Sequence, residues 1–589
     1  MPRSFTRAAA TALAAALLFT AGAGPATAQP REPAEPTGRP TVTTASGPVT
    51  GVRENGLEAF RGIPFAEPPV GENRFLPPQP VQSWSEPLDA AEFGAACPQR
   101  PSEQELGEGE PTSEDCLTLN VWSRDTSGSD PVIVFIHGGG FTSGTARNAW
   151  YDGADLAAAG ATVVSIQYRL GPLGWLDLSE AGPDYAQSMN NGLLDQMEAL
   201  RWVRENIAAF GGDPDNVTVS GESAGAISIS ALMGIEEADG LYDRAILQSG
   251  TSGTVATADW SRDVATTFTE AAGVESASDV LDLDTDRMLD AADEVYASQF
   301  ADTAFHPVVD GDLLPGLPYE RLASSDGPTA PVVIGTTLDE ARYWLYLLPE
   351  LDRLPRMYFD PWLESLVGER SQEVIDAYLQ ERPELTDAQL GMAMAGDVSF
   401  RMPAIRMAEA LAERGVDVRM YLATVPAIDL GGRMGSPHAV ELPFMFGTLE
   451  AADTFVGDTA DNRALSEQVQ DLWVGFARDG DPATSGTRWP LYDTQERSTL
   501  MLDHDLRVEQ DPYPAARQAW GDMAFDGTEP GLDRLTPLQY EGSNPHHPLV
   551  IASVIGWGKV WGALVLLVVL TGTAVVLVRR GRGRTRPAG

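Results

Sequence analysis

Residues 217–226 read Val-Thr-Val-Ser-Gly-Glu-Ser-Ala-Gly-Ala. A β-branched run ends at Ser220, Ser223 stands between Gly221 and Gly225, and a segment rich in Ala and Ile follows. This is a Gly-x-Ser-x-Gly pattern laid over a strand, a tight turn and a helix. Side chains two before and two after the serine would collide in such a turn, so glycine is needed at both places. The turn lifts Ser223 above the strand ends, where its hydroxyl can act as a nucleophile. It also brings the Ala224 N–H to face the same space.

A serine nucleophile needs a base, an acid to orient that base, and donors for the developing oxyanion. Residues 133–141 read Ile-Val-Phe-Ile-His-Gly-Gly-Gly-Phe, a strand running straight into three glycines. Backbone N–H groups there can approach a substrate oxygen without side-chain obstruction. Gly139 and Gly140, with Ala224, are the expected oxyanion donors.

The chain has six histidines. His137 belongs to the glycine run and suits a structural role. His306 precedes Pro307 in a loop, His504 follows a late strand, and His546 and His547 lie in a Pro- and Gly-rich stretch. His438, in Gly-Ser-Pro-His-Ala-Val-Glu, remains as the base. The acid is expected between Ser223 and His438. Asp339 and Glu340 follow the strand-like run 331–336, and composition does not choose between these neighbours. Trp344, Phe444 and Phe446 are close to the acid or base in sequence and could line a pocket or belong to the core.

These groups must be positioned by a scaffold. Strand-like runs at 117–122, 131–136, 161–168, 244–248 and 331–336 alternate with helical segments such as 195–208. Such alternation predicts a mostly parallel sheet with helices on both faces. Functional groups in such sheets sit beyond the carboxyl ends of the strands. Residues 350–415 are helical in composition and interrupt the alternation, as a lid-like insertion would. Residues 416–423 and 498–502 read as late strands. The prolines of Phe60–Pro69 predict a rigid irregular path rather than regular structure.

The 589 residues are 43% hydrophobic and 21% charged, which fits a globular chain with a sizeable core. The two ends stand apart from it. Arg3 and Arg7, the apolar run 8–23 and Ala26-Thr27-Ala28 read as a secretory signal peptide over residues 1–28. Residues 29–40 are a flexible lead, and 41–525 form the main domain. Residues 526–559 are rich in Gly, Pro and polar residues and read as a tether. Residues 560–578 hold no charge and are long enough to cross a bilayer. Five arginines follow within 579–589, the cytoplasmic side by the excess of positive charge. The expectation is an exported protein anchored in the cell membrane with its main domain outside.

The net charge is −45, and Lys559 is the single lysine. Without the cationic ends the exported body carries −53. That balance excludes electrostatic binding to nucleic acid or to an anionic membrane surface. It also raises the hypothesis of adaptation to high salt. Two cysteines, Cys97 and Cys116, in an exported chain suggest one disulfide.

Taken together, the motifs resemble the type-B carboxylesterase family, which includes the cholinesterases. The resemblance covers most of 41–525. It rests on Phe65-Ala-Glu-Pro-Pro-Val-Gly71, Ser113-Glu-Asp-Cys-Leu-Thr-Leu-Asn-Val-Trp122, His137-Gly-Gly-Gly-Phe141, Asn191-Gly-Leu-Leu-Asp-Gln196, Phe210-Gly-Gly-Asp-Pro214, Gly221-Glu-Ser-Ala-Gly225 and Ala245-Ile-Leu-Gln-Ser-Gly250. It implies an α/β-hydrolase fold, with Ser223 as nucleophile, Glu340 as acid and His438 as base. It further implies a Cys97–Cys116 bridge and ion pairs of Arg74 with Glu114 and Arg169 with Asp195. Glu222 would add negative potential, and Ser249 would support the histidine. The reaction implied is hydrolysis of a small-molecule carboxylic ester, with no metal or organic cofactor. An amide or a lactone would suit the same triad.

Cholinesterases carry a tryptophan inside the first disulfide loop to stack on choline, and residues 98–115 hold none. Choline esters are therefore poor candidates. The competing class is a non-catalytic adhesion module of the same fold, but such proteins typically lose the nucleophile.

Overall fold

The computed structural model describes residues 38–521 and 523, apart from 102–108, 252–253, 299, 301–303, 346–351 and 484–485. The expected signal peptide, most of the expected lead, the expected tether, the apolar run 560–578 and the basic tail all lie outside the described residues. Among the described residues no helix is long and apolar enough to cross a membrane.

An eleven-stranded sheet organises the described residues. Its order from one edge is Arg507–Gln510, Ser498–Leu502, Val418–Ala423, Val332–Thr337, Arg244–Gln248, Gly212–Glu222, Asp130–Ile136, Thr162–Ile166, Thr118–Ser123, Leu57–Pro64 and Val52–Glu54. The run from Ser498–Leu502 to Thr162–Ile166 is parallel throughout. Both edges are antiparallel.

The central strands are covered on both faces, so they read as unbroken apolar runs. Strand Asp130–Ile136 shows how the core is divided. Val132, Val134 and Ile136 enter one hydrophobic cluster, while Ile133 and Phe135 enter the other. Successive side chains of a strand point to opposite faces, and helices close each side.

Most elements fall within two or three residues of the sequence expectation. Strand Gly212–Glu222 runs to the residue before the serine rather than stopping at Ser220. Residues 57–64 differ more. They form a strand paired with Thr118–Ser123, where the prolines predicted an irregular path. The pairing is broken by a register shift between Phe60 and Ile63, and Gly62 has φ +68°. Pro64 is the last residue of the strand, where the missing N–H costs least. The proline-rich irregular path therefore starts only after it.

Between strands Val332–Thr337 and Val418–Ala423 comes the expected helical insertion: Asp360–Val367, Ser371–Glu381, Asp387–Gly396 and Met402–Glu413. A π-helical turn, Asp397–Arg401, joins the last two. This insertion packs on the segment that carries Glu340. A Cβ built on Gly396 would lie 3.2 Å from the Glu340 Cβ.

Candidate active site

The parallel strands end together, and the site is built from the residues just beyond their carboxyl ends. Ser223 follows Glu222, Ser249 follows Gln248, and Glu222 and Gln248 are register partners. Gly335 pairs with Gln248 on the other side, so Glu340 emerges beside Ser249.

Ser223 has φ +55° and ψ −123°, a conformation an L-residue holds only when its surroundings enforce it. Two glycines make the turn possible. A Cβ at Gly221 would lie 2.7 Å from the Gly225 carbonyl carbon, and one at Gly225 would lie 2.0 Å from the Ile136 oxygen. The Ser223 N–H is fixed by the Gln248 carbonyl at 2.9 Å. Helix Ala224–Leu232 begins at the next residue, so the Ala224 N–H has no intrahelical acceptor.

The glycine run is held by bonds to its carbonyls. His137 Nδ1–H donates to the Gly138 oxygen at 2.8 Å. The Gly139 oxygen accepts from the Thr142 and Ser143 N–H groups at 3.1 and 3.0 Å and from the Ser143 hydroxyl at 3.0 Å. In a trans peptide the N–H points opposite to the C=O. Fixing these two carbonyls therefore turns the Gly139 and Gly140 N–H groups the other way. Gly138 is packed so tightly that a Cβ there would come within 2.9 Å of the Ser223 Cβ. His137 is fully buried, stacked on Tyr168, and burial lowers its pKa to about 4. It is a neutral strut for this turn.

Glu340 and His438 meet. His438 Nδ1 and Glu340 Oε2 are 2.6 Å apart. The other carboxylate oxygen, Oε1, accepts from the Ser249 hydroxyl at 2.7 Å and from the Thr337 N–H at 2.8 Å. Asp339, the neighbour that composition left open, instead faces arginines. His438 Nε2 lies 3.0 Å from Glu222 Oε1, beside the serine.

The imidazole is thus bracketed by two carboxylates inside the protein. Burial alone would lower its pKa, but the attraction of Glu222 and Glu340 outweighs burial and holds it well above the ordinary value. A third carboxyl, Glu441, is fully buried three residues further on. Its Oε1 accepts from the Tyr421 hydroxyl at 2.8 Å. Burial, with help from the Glu340 charge, raises it to about 7.

Aromatic rings surround the histidine. Phe400, Trp344 and Tyr343 lie 4.9, 5.8 and 5.9 Å from it, centroid to centroid. All three are half-buried. Of the aromatics singled out in the sequence, Trp344 is therefore at the site. Phe444 and Phe446 are fully buried core residues, the latter against Phe135. Sequence reasoning missed Tyr343, Phe400 and Glu441. Phe400 arrives on the π-helical turn, 38 residues before His438, and no local pattern announces it.

The supporting links are present as well. Cys97 and Cys116 form a disulfide. Arg74 makes a two-pronged bond to Glu114 with both contacts at 2.7 Å. Arg169 does the same to Asp195 at 2.8 and 2.7 Å, and that pair is fully buried. Among the described residues no cluster of His, Cys, Asp or Glu is placed to hold a metal ion.

Comparison with known proteins gives the family. Residues 38–520 match the carboxylesterase family. The chain is 38% identical to a para-nitrobenzyl esterase of Bacillus subtilis over 81% of this chain and 97% of that protein. It is 33% identical to a phenmedipham hydrolase of Pseudarthrobacter oxydans over 80% and 97%. A solved carboxylesterase of Geobacillus stearothermophilus superposes with a TM-score of 0.74 at 35% identity, covering 82% of this chain and 99% of that one. The chain belongs to the carboxylesterase family, with its α/β-hydrolase fold, and is a hydrolase of carboxylic esters.

Proposed function

We propose that Ser223, His438 and Glu340 form a catalytic triad that cleaves carboxylic esters through an acyl-enzyme. The Ser223 oxygen attacks the ester carbonyl while His438 takes its proton. Glu340 keeps the proton on Nδ1 and stabilises the imidazolium that forms. The N–H groups of Gly139, Gly140 and Ala224 hold the oxyanion. The tetrahedral species collapses, and His438 returns the proton to the leaving alcohol. Water then repeats the sequence, releasing the acid and restoring Ser223. Glu222 adds negative charge that favours the imidazolium, and Ser249 holds Glu340 in place.

The observation that carries this reading is the 2.6 Å Glu340–His438 bond set beside a serine held at φ +55° on a glycine-flanked turn. An adhesion module has no use for that conformational cost, and no observation favours that alternative. The rings of Tyr343, Trp344 and Phe400 suit a flat or aromatic acyl or alcohol group. The names of the relatives, which act on para-nitrobenzyl and phenmedipham substrates, point the same way. The apolar runs 8–23 and 560–578 support an exported enzyme anchored in the membrane, with the catalytic domain outside.

The test is hydrolysis of p-nitrophenyl esters from acetate to laurate, beside matched benzyl and ethyl esters, by the protein and by Ser223→Ala. Activity that vanishes in the variant supports the reading. A folded protein that hydrolyses none of them contradicts it.

A further inference from the structure

We propose that Asp339 is a positioning residue for the reaction, the clamp that sets the distance between Glu340 and His438. The proposal rests on the Ser–His–Glu reading above. Glu340 and His438 are 98 residues apart in sequence and arrive on two separate loops, yet their bond must be short. Each loop is anchored at Asp339. Its backbone N–H donates to the Ser436 oxygen at 2.8 Å, and the Ser436 N–H donates back to Asp339 Oδ2 at 3.1 Å. This reciprocal pair lies one residue before the acid and two before the base. The Ser436 hydroxyl completes the anchor by donating to the Ala423 oxygen at the end of its strand.

The other carboxylate oxygen reaches outward. Asp339 Oδ1 accepts from Arg382 at 2.7 Å and lies 3.1 Å from Arg342. Arg382 belongs to the turn between helices Ser371–Glu381 and Asp387–Gly396, so the insertion is tied to the same point. Asp339 is 5% exposed, which makes these contacts largely free of solvent competition. Space for the carboxylate is made by Gly435, at φ +65°. A Cβ there would lie 2.1 Å from Asp339 Oδ2. The Asp339 side chain thus adds to the backbone bonds between acid turn and base loop, which include His438 N–H to the Glu340 oxygen at 3.4 Å, and it ties the insertion to both.

Asp339→Asn keeps the shape and the acceptor for Ser436 but removes the charge facing the arginines. Arg382→Gln breaks the same tie from outside, and Arg382→Lys restores part of it. Glu340→Gln is the control for the triad itself. Each is assayed on p-nitrophenyl acetate for kcat, KM and pH profile, and by proton NMR for the low-field resonance of the His438 Nδ1–H. Melting curves establish that each is folded at the assay temperature.

The expected result for Asp339→Asn and Arg382→Gln is kcat lower by about tenfold to a hundredfold, the cost of a small misalignment of reacting groups. KM should hold, the low-field resonance should shift or broaden, and Arg382→Lys should recover part of kcat. If Asp339→Asn does not fold, Arg382→Gln carries the same test. Folded variants with the kcat and resonance of the parent, while Glu340→Gln is inactive, would overturn the clamp and leave the triad standing. A fully active Glu340→Gln would overturn the triad reading itself.

Discussion

Glu441→Gln should make the protein more stable at alkaline pH while leaving its stability near pH 4 almost unchanged. Glu441 is fully buried, and its carboxyl is raised from 4.5 to about 7, first by burial and then by the charge of Glu340. At about 1.4 kcal/mol per pH unit, ionising it in the native protein costs about 3 kcal/mol more than in the unfolded chain. The sign comes from proton linkage. Between pH 4.5 and 7 the native state holds a proton that the unfolded state has lost, so this group makes stability fall as pH rises through that window. Glutamine has no proton to lose. Its amide oxygen can still accept from Tyr421, which burial keeps protonated far above neutrality. The difference in unfolding free energy between variant and parent should therefore grow by about 3 kcal/mol from pH 4 to pH 9. Groups remote from Glu441 cancel in the difference, which leaves the titration of Glu441 and of the carboxylates coupled to it. Denaturant titrations at several pH values read this directly. Two stability–pH curves that run parallel would refute the reasoning.

Other substitutions test the remaining physical claims. Glu222→Gln removes one of the two charges that raise the His438 pKa, so the free base should appear at lower pH and the acid limb of kcat/KM should move down; an unmoved limb would deny Glu222 that role. Asp195→Ala strands the buried Arg169 guanidinium and should cost about 3–5 kcal/mol in denaturant titration, whereas a loss below about 1 kcal/mol would show the pair to be incidental. Gly335→Ala would place a Cβ 1.8 Å from the Tyr421 ring and should cost at least about 2 kcal/mol, because that ring is buried against Trp473 and Trp489 and bonded to Glu441. A net charge of −45 predicts a melting temperature that rises between low and molar NaCl, and a flat response would remove the salt-adaptation hypothesis.

Much of this arrangement is legible in the chain because its demands are local. The elbow needs glycine at 221 and 225 for steric reasons that two residues of context reveal. The strand-to-glycine run ending at Gly140 is equally self-contained. Strand Arg244–Gln248 has the bounds expected from its sequence, a short apolar run, 245–247, with one polar residue on each side. What escaped was decided by distant neighbours. Composition leaves Asp339 and Glu340 open as two acids after one strand; the family resemblance names Glu340, and the placement of His438, Arg342 and Arg382 supplies the physical difference between them. Phe400 reaches the histidine through a π-helical turn that leaves no periodic signature. Glu441 reads as one more acid in an acidic chain until the sheet buries it against Tyr421. The strand Leu57–Pro64 was hidden because its prolines sit at its end and beyond it.

The central claim is that Ser223 is the nucleophile of an acyl-enzyme. Its most direct test is labelling with a fluorophosphonate, which traps an activated serine, followed by peptide mass spectrometry. One adduct per chain, on the peptide holding Ser223, with activity lost in proportion to labelling, is the result predicted. A folded and ester-hydrolysing protein that carries its adduct on another residue, or takes none, would contradict it.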